Sequence, residues 1–186
     1  DSIVASMLAP GSISWLYYSD RLVEFPLGIF GIAIATVILP VLSAKYSSKE
    51  ITSFKETISN SLKIVLIYSL PATFGLILLS DHIIVSLFQY GNFDADDTSM
   101  SALSLIAYSL GLPAFIMMKV LLTGFFSRQD TKTPVKYGLI AVIFNILMNT
   151  IVVFYYLSNP FTGAHAMLAL ATSISAWIQV ILLYMH

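Results

Sequence analysis

The chain has 186 residues, of which 58% are hydrophobic and 10% charged, with nine Lys and Arg against ten Asp and Glu. Its mean hydropathy is +0.86, and an ordinary soluble domain carries about 25% charged residues, so most side chains here have no water to face and the expected solvent is lipid. The basic residues form no stripe interleaved with aromatics, which argues against nucleic acid as a partner, and with no cysteine there are no disulfides, thiolate nucleophiles or Cys-held metals.

Residues 1–12 read as the end of a preceding apolar helix and an outer loop, which predicts that the chain is a piece of a longer membrane protein. A membrane-spanning helix needs roughly 20 mainly apolar residues, and five stretches qualify. They predict helices over 13–42, 62–79, 98–126, 135–157 and 164–185, an all-α polytopic bundle over 13–186. The long apolar runs do not alternate, and backbone in lipid must satisfy its own hydrogen bonds, so strands are excluded. "HIIVSLFQYG" at 82–91 is too short to cross and is expected to lie in the interface. "Ile51…Phe54…Ile58…Leu62", beside lysines, predicts a separate helix on the membrane surface ahead of the second span.

The first span opens with Trp15, Tyr17 and Tyr18, which suit an interfacial aromatic belt, as Tyr155 and Tyr156 do at the end of the fourth. Asp20, Arg21 and Glu24 follow within apolar sequence. At about 100° per residue, Arg21, Glu24, Gly28, Gly31 and Ala35 fall within roughly 80° of one another, with Asp20 at the margin and Pro26 opposite. One narrow face thus carries charge at its outer end and small residues further in. Two readings fit. Arg21 can snorkel to the headgroups while both acids neutralise it, or it can offer its planar fork to an anion such as a phosphate while the acids orient it.

Pro26, Pro71 and Pro113 fall inside the first three spans and predict bends. Pro113, beside Gly111, predicts a flexible joint in the third. "DADD" at 94–97 predicts a capped start to that span, with Asp94 at the N-cap. Lys119 lies within snorkelling reach of the span's inner end, and a cavity or gating role is the alternative. Asn145 and Asn149, spaced four apart, predict hydrogen bonds to a neighbouring helix, as do Ser173, Ser175 and Gln179. His165 is expected at the interface. The residues form no catalytic set, phosphate loop or metal spacing.

The connections alternate in charge. Residues 44–57 hold Lys45, Lys49 and Lys55, and residues 127–136 hold Arg128, Lys132 and Lys136, whereas 81–97 and 158–163 contain no Lys or Arg. The positive-inside rule therefore predicts that 44–57 and 127–136 are cytoplasmic.

"GSISWLYYSDRLVEFPLGIFGIAIATVILPVLS" at 11–43 resembles the MurJ (MviN) family of lipid II flippases, of the MOP exporter superfamily. The likeness continues in "LFQYGNFDADDT" at 87–98, "GFFSRQDTKTPVK" at 124–136 and "GAHAMLALATSISAWIQVILLY" at 163–184. It implies most of the C-terminal lobe of such a transporter, from the end of helix 7 to helix 12 in the family's order. It further implies a bacterial inner-membrane location, lipid II as substrate, and partnership with membrane lipids and a missing N-terminal lobe. By the same likeness Arg21 matches the family's cavity arginine, with Asp20 and Glu24 its acidic neighbours. No cofactor is implied, and the coupling ion is left open. Other MOP-type exporters, of lipid-linked polysaccharide or drugs, and a membrane-embedded glycosyl- or phosphotransferase fragment are the alternatives.

Overall fold

The computed structural model describes residues 2–186, which are helical nearly throughout. In chain order the helices are α1 (Ser2–Ala5), α2 (Ser12–Pro26), a π-helical segment (Leu27–Ile32), α3 (Ala33–Ser47), α4 (Ile51–Leu78), α5 (Ser80–Phe88), α6 (Ala95–Ser109), α7 (Leu112–Ser127), α8 (Lys132–Ser158) and α9 (Ala164–Met185). α2, the π segment and α3 make one 36-residue span, and α4, α8 and α9 are each long and apolar enough to cross a membrane. α6 and α7, bent by 40° at the short break between them, are long and apolar enough to make a fifth when taken together.

The bundle is apolar outside as well as inside. Phe25 is 70% exposed, Phe74 61%, Phe154 68% and Leu78 76%. Surfaces of this kind are stable only where the surrounding medium is itself apolar. The bent α6–α7 span is the most enclosed, with Leu105, Leu112, Ile116 and Val120 fully buried among α2, α4 and α9. α8 packs mainly against α9 and leaves most of its surface outward. Since apolar contact offers no advantage over lipid, close approach and hydrogen bonds must hold these helices together. Ser19, on α2, accordingly donates to the Ser101 carbonyl of α6 at 2.7 Å.

Alternation of the spans collects their ends into two sets. At one end, Trp15 Nε1 donates to Asp97 Oδ1 at 2.7 Å and the Trp15 ring lies 4.7 Å from His165, so α2, α6 and α9 start together. At the other, Arg128 lies over the Phe54 ring at 5.8 Å, which brings both basic connections to the same end. In the second of these, Asp130 accepts from the Thr133 hydroxyl and backbone N–H, which hold its carboxyl below the usual carboxylate range.

Several expectations are corrected. The first span extends past residue 42 to Ser47, and the fourth begins at Lys132 rather than residue 135. Residues 51–62 are not a separate surface helix: α4 runs unbroken from Ile51 to Leu78, with Pro71 inside it. Phe54, Leu62 and Val65 share its buried side, so the apolar spacing near the lysines is the start of the span's own packing face. His165 lies at the end of the bundle marked by Trp15, but it is packed inside rather than exposed there, and its Nε2 lies 2.9 Å from the Met100 carbonyl oxygen. The capping box forms as expected, with Asp94 Oδ1 accepting from the Asp97 N–H at 2.9 Å and Asp97 Oδ2 from the Asp94 N–H at 3.2 Å.

Pro113 does not interrupt a helix. It stands in the first turn of α7, where an N–H would have no intrahelical partner in any case. The break lies one step earlier, at Leu110 and Gly111, and its freed carbonyls are not left open. Ser173 Oγ donates to the Ala107 oxygen at 2.7 Å, and Trp177 Nε1 donates to the Leu110 oxygen at 3.0 Å. Both donors belong to α9. A Cβ on Gly111 would lie 2.6 Å from Ser173 Oγ, so glycine is what lets α9 reach the break. The expected flexible joint is therefore a corner latched by two side chains of the adjacent helix.

Candidate functional site: the charged face of the first span

Trp15 marks the water-facing end of the first span, because its indole is bonded to the capping acid Asp97. Arg21 lies six residues further in, ~9 Å along the axis at 1.5 Å per residue. Its Nη1 is 2.6 Å from Glu24 Oε2, the one ion pair among the described residues. Its guanidinium also lies 5.0 Å from the Tyr17 ring centroid. The side chains of Arg21 and Glu24 are 55% and 49% exposed. An acid one turn in and an aromatic ring one turn out hold the guanidinium alongside the helix, with part of its donor set unspent.

The two acids part company. Glu24 pairs with Arg21, whereas Asp20 makes no ion pair and lines a different hollow, of about 320 Å³, with Tyr17, Tyr108 and Thr172. Its place at the margin of the charged face is the reason: 100° around the helix from Arg21, it looks toward α6 and α9. The sequence reading missed Tyr108 and Thr172. Their only signal was polarity within apolar runs, and which spans adjoin Asp20 is a tertiary fact. Thr172 leads on to Asn145, whose Nδ2 is 3.3 Å from Thr172 Oγ1, and Asn149 Nδ2 donates to Asn145 Oδ1 at 3.0 Å. This polar run joins α9 to α8, as the four-residue spacing of the asparagines suggested. Ser173 also bonds across helices, to α6, while Ser175 donates within α9 to the Ala171 oxygen at 2.7 Å.

The small residues of the charged face also divide. Gly28 has open space where a Cβ would be, with no atom within 4 Å. Gly31 is buried, and a Cβ there would lie 3.5 Å from Lys119 Cγ and 3.8 Å from Ile116 Cα. The π segment widens the turn between them, so a regular 100° step no longer relates the residues on either side. The expected single face is thus an open upper part (Arg21, Glu24, Gly28) and a lower part closed onto α7. The Lys119 stem packs at Gly31, and its ammonium has no hydrogen-bond or ion-pair partner among the described residues. Pro113 contributes no group to this face. Among the described residues, no three His, Cys, Asp or Glu side chains gather as metal ligands do.

The apolar spans, with an ion pair left exposed on one of them, describe an all-α polytopic membrane protein. Comparison with known proteins makes the assignment specific. The lipid II flippase MurJ family model matches residues 1–186, and the chain belongs to that family, which comprises transporters rather than enzymes. It is 49% identical over 184 residues to the probable lipid II flippase MurJ of Vibrio cholerae, covering 99% of this chain and 34% of the relative. It is 42% identical over 190 residues to the corresponding protein of Haemophilus influenzae, covering 99% of this chain and 36% of that one. A solved structure of lipid II flippase MurJ in an inward closed conformation superposes with a TM-score of 0.85 at 32% identity, covering 98% of this chain and 37% of that one. The fold is therefore that of a MOP-type flippase lobe, and the chain spans about a third of the length of the curated relatives it matches.

Proposed function

We propose that this chain forms most of one lobe of a flippase that carries lipid II from the inner to the outer leaflet of the bacterial inner membrane, by alternating access against a second lobe. One observation carries the reading: the Arg21–Glu24 pair lies exposed on an apolar span, ~9 Å inside the level of Trp15, with open space at Gly28 below it. Charges at such depth are costly against lipid and normally face a watery cavity or a partner. The partner is the remainder of the transporter, since relatives of this chain are about three times its length.

In this reading Arg21 grips the diphosphate of the lipid-linked precursor. Glu24 sets the angle of the guanidinium, and the nitrogens not used by Glu24 meet phosphate oxygens in the forked geometry that arginine alone supplies. Asp20, turned toward Tyr108 and Thr172, maintains the polarity of the adjoining hollow rather than orienting Arg21. Gly28 leaves room for the headgroup. Lys119 supplies a second cation further in, where Gly31 lets its helix close onto the first span, and Pro113 serves the fixed corner behind them. The basic connections 44–57 and 127–136 face the cytoplasm, so the first span runs from outside to inside.

The test is complementation in cells depleted of their own flippase, with membrane abundance measured in parallel. Arg21→Ala abolishes rescue at normal abundance, Arg21→Lys rescues in part, and Glu24→Ala is milder than Arg21→Ala. If Arg21 merely snorkels to the headgroups, Lys serves as well as Arg. Full rescue by Arg21→Ala at normal abundance overturns the cavity reading.

A further inference from the structure

Arg128 ends α7 at the basic end of the bundle, and its guanidinium makes no ion pair there, Asp130 acting on it only through its field. Its Nε donates to the Gly124 oxygen at 3.3 Å. The guanidinium carbon lies 4.7 Å from the Phe125 ring centroid and 5.8 Å from that of Phe54. Among the described residues no carboxylate lies within ion-pairing distance of it, and its two terminal nitrogens have no hydrogen-bond acceptor. An arginine laid on two rings has lost much of its freedom to swing into water, so the ordering needed to bind an anion is already in place.

Two hollows meet at this side chain. One, of about 480 Å³, is walled by Ile58, Leu62 and Leu121 and edged by Lys55 and Ser59. The other, of about 930 Å³, is more polar than the first, with Ser43, Ser47, Lys49 and Gln129 beside Ile51 and Phe126 in its walls. An apolar channel thus adjoins a cationic, hydroxyl-rich rim on a chain whose outer surface faces lipid. The two connections at this end carry Lys45, Lys49, Lys55, Arg128, Lys132 and Lys136 against Glu50, Glu56 and Asp130, so the surplus charge is positive. Basic pockets between spanning helices are what anionic lipid headgroups occupy.

We propose that this groove between α4, α7 and the end of α9 binds an anionic phospholipid. The phosphate rests against the terminal nitrogens of Arg128, with Lys55 beside it, and one acyl chain lies along Ile58, Leu62 and Leu121. Nothing in the proposal depends on Arg21, which lies near the opposite end of the bundle.

The test uses the protein at its full length, purified in detergent, with phospholipid adducts counted by native mass spectrometry and stability followed by thermal melting. Phosphatidylglycerol binds in preference to phosphatidylcholine and raises the melting temperature. Arg128→Gln lowers phosphatidylglycerol affinity about tenfold, the loss expected for charge-assisted hydrogen bonds, and leaves phosphatidylcholine binding unchanged. Lys55→Gln, at an exposed position, lowers it several-fold even if Arg128→Gln folds poorly. Lys132→Gln, outside the groove, retains wild-type phosphatidylglycerol binding. The proposal is overturned if Lys55→Gln, or a well-folded Arg128→Gln, binds phosphatidylglycerol as the wild type does. It is equally overturned if Lys132→Gln loses as much, which would mean diffuse charge, or if millimolar inorganic phosphate displaces the lipid and reproduces the thermal shift, which would mean a bare anion site.

Discussion

Gly111→Ala tests the latched corner directly. The backbone at Gly111 has φ −86°, which alanine adopts freely, so any loss comes from the new methyl and not from strain. That methyl would lie 2.6 Å from Ser173 Oγ and 2.9 Å from the Phe115 ring. The ring edge can give by a few tenths of an ångström, but Ser173 Oγ is fixed by its 2.7 Å bond to the Ala107 oxygen. Overpacking of this kind costs about 1–3 kcal/mol. Ser173→Ala alone leaves a buried carbonyl short of a donor, for about 1–2 kcal/mol. In the double variant the blocking oxygen is gone, so the methyl fits, and the combined loss falls at least about 1 kcal/mol short of the sum. Unfolding free energies of the four proteins, measured in the same micelle, give the coupling. Additivity within about 0.5 kcal/mol would show that Ser173 does not hold the break, and would refute the latch.

The same geometry makes Pro113→Ala mild. It removes a ring whose chief contribution in the first turn is entropic, about 0.4–1 kcal/mol, and complementation by the full-length variant stays intact. Failed complementation at normal abundance would show that the corner must flex. The orientation is checked with cysteines introduced at Ser48 and Asn92 in a full-length protein: an impermeant reagent applied to intact cells labels Asn92→Cys and spares Ser48→Cys. The reverse pattern would invert the topology and place the basic end outside.

The charged face shows how far local reading carries. Arg21 and Glu24 were recognisable as partners because a three-residue separation on a helix brings side chains together whatever the rest of the chain does. Asp20 stands at the margin of that cluster: it stays within electrostatic reach of Arg21 and Glu24, but one residue on a helix is a turn of 100°, enough to bring its carboxylate to a hollow shared with another pair of helices. Gly28 and Gly31 were read as one stripe, yet the π segment between Leu27 and Ile32 separates an open position from a buried one. Pro113 illustrates the opposite failure. A proline signals a break but does not say on which side it falls, and only the position of Ser173 and Trp177 shows that the break is sealed.

The existence of the five spans, the gathering of basic connections at one end and the Asp94–Asp97 cap were determined by the sequence alone. Each rests on a local quantity: apolar length against bilayer thickness, backbone groups that must bond within their own segment, and a side chain three residues from the amide it caps. Which faces of the spans touch was decided only by the tertiary structure. In water an amphipathic stripe announces its buried side, but here Phe74 and Phe154 are as apolar outside as Leu105 and Ile116 are within, so periodicity carries little of the packing. The choice of partners fell instead to close approaches and single hydrogen bonds: Gly31 beneath Lys119, Ser19 to Ser101, Ser173 to Ala107. Those depend on residues as far apart in the chain as Gly31 and Lys119, a distance over which no local pattern extends.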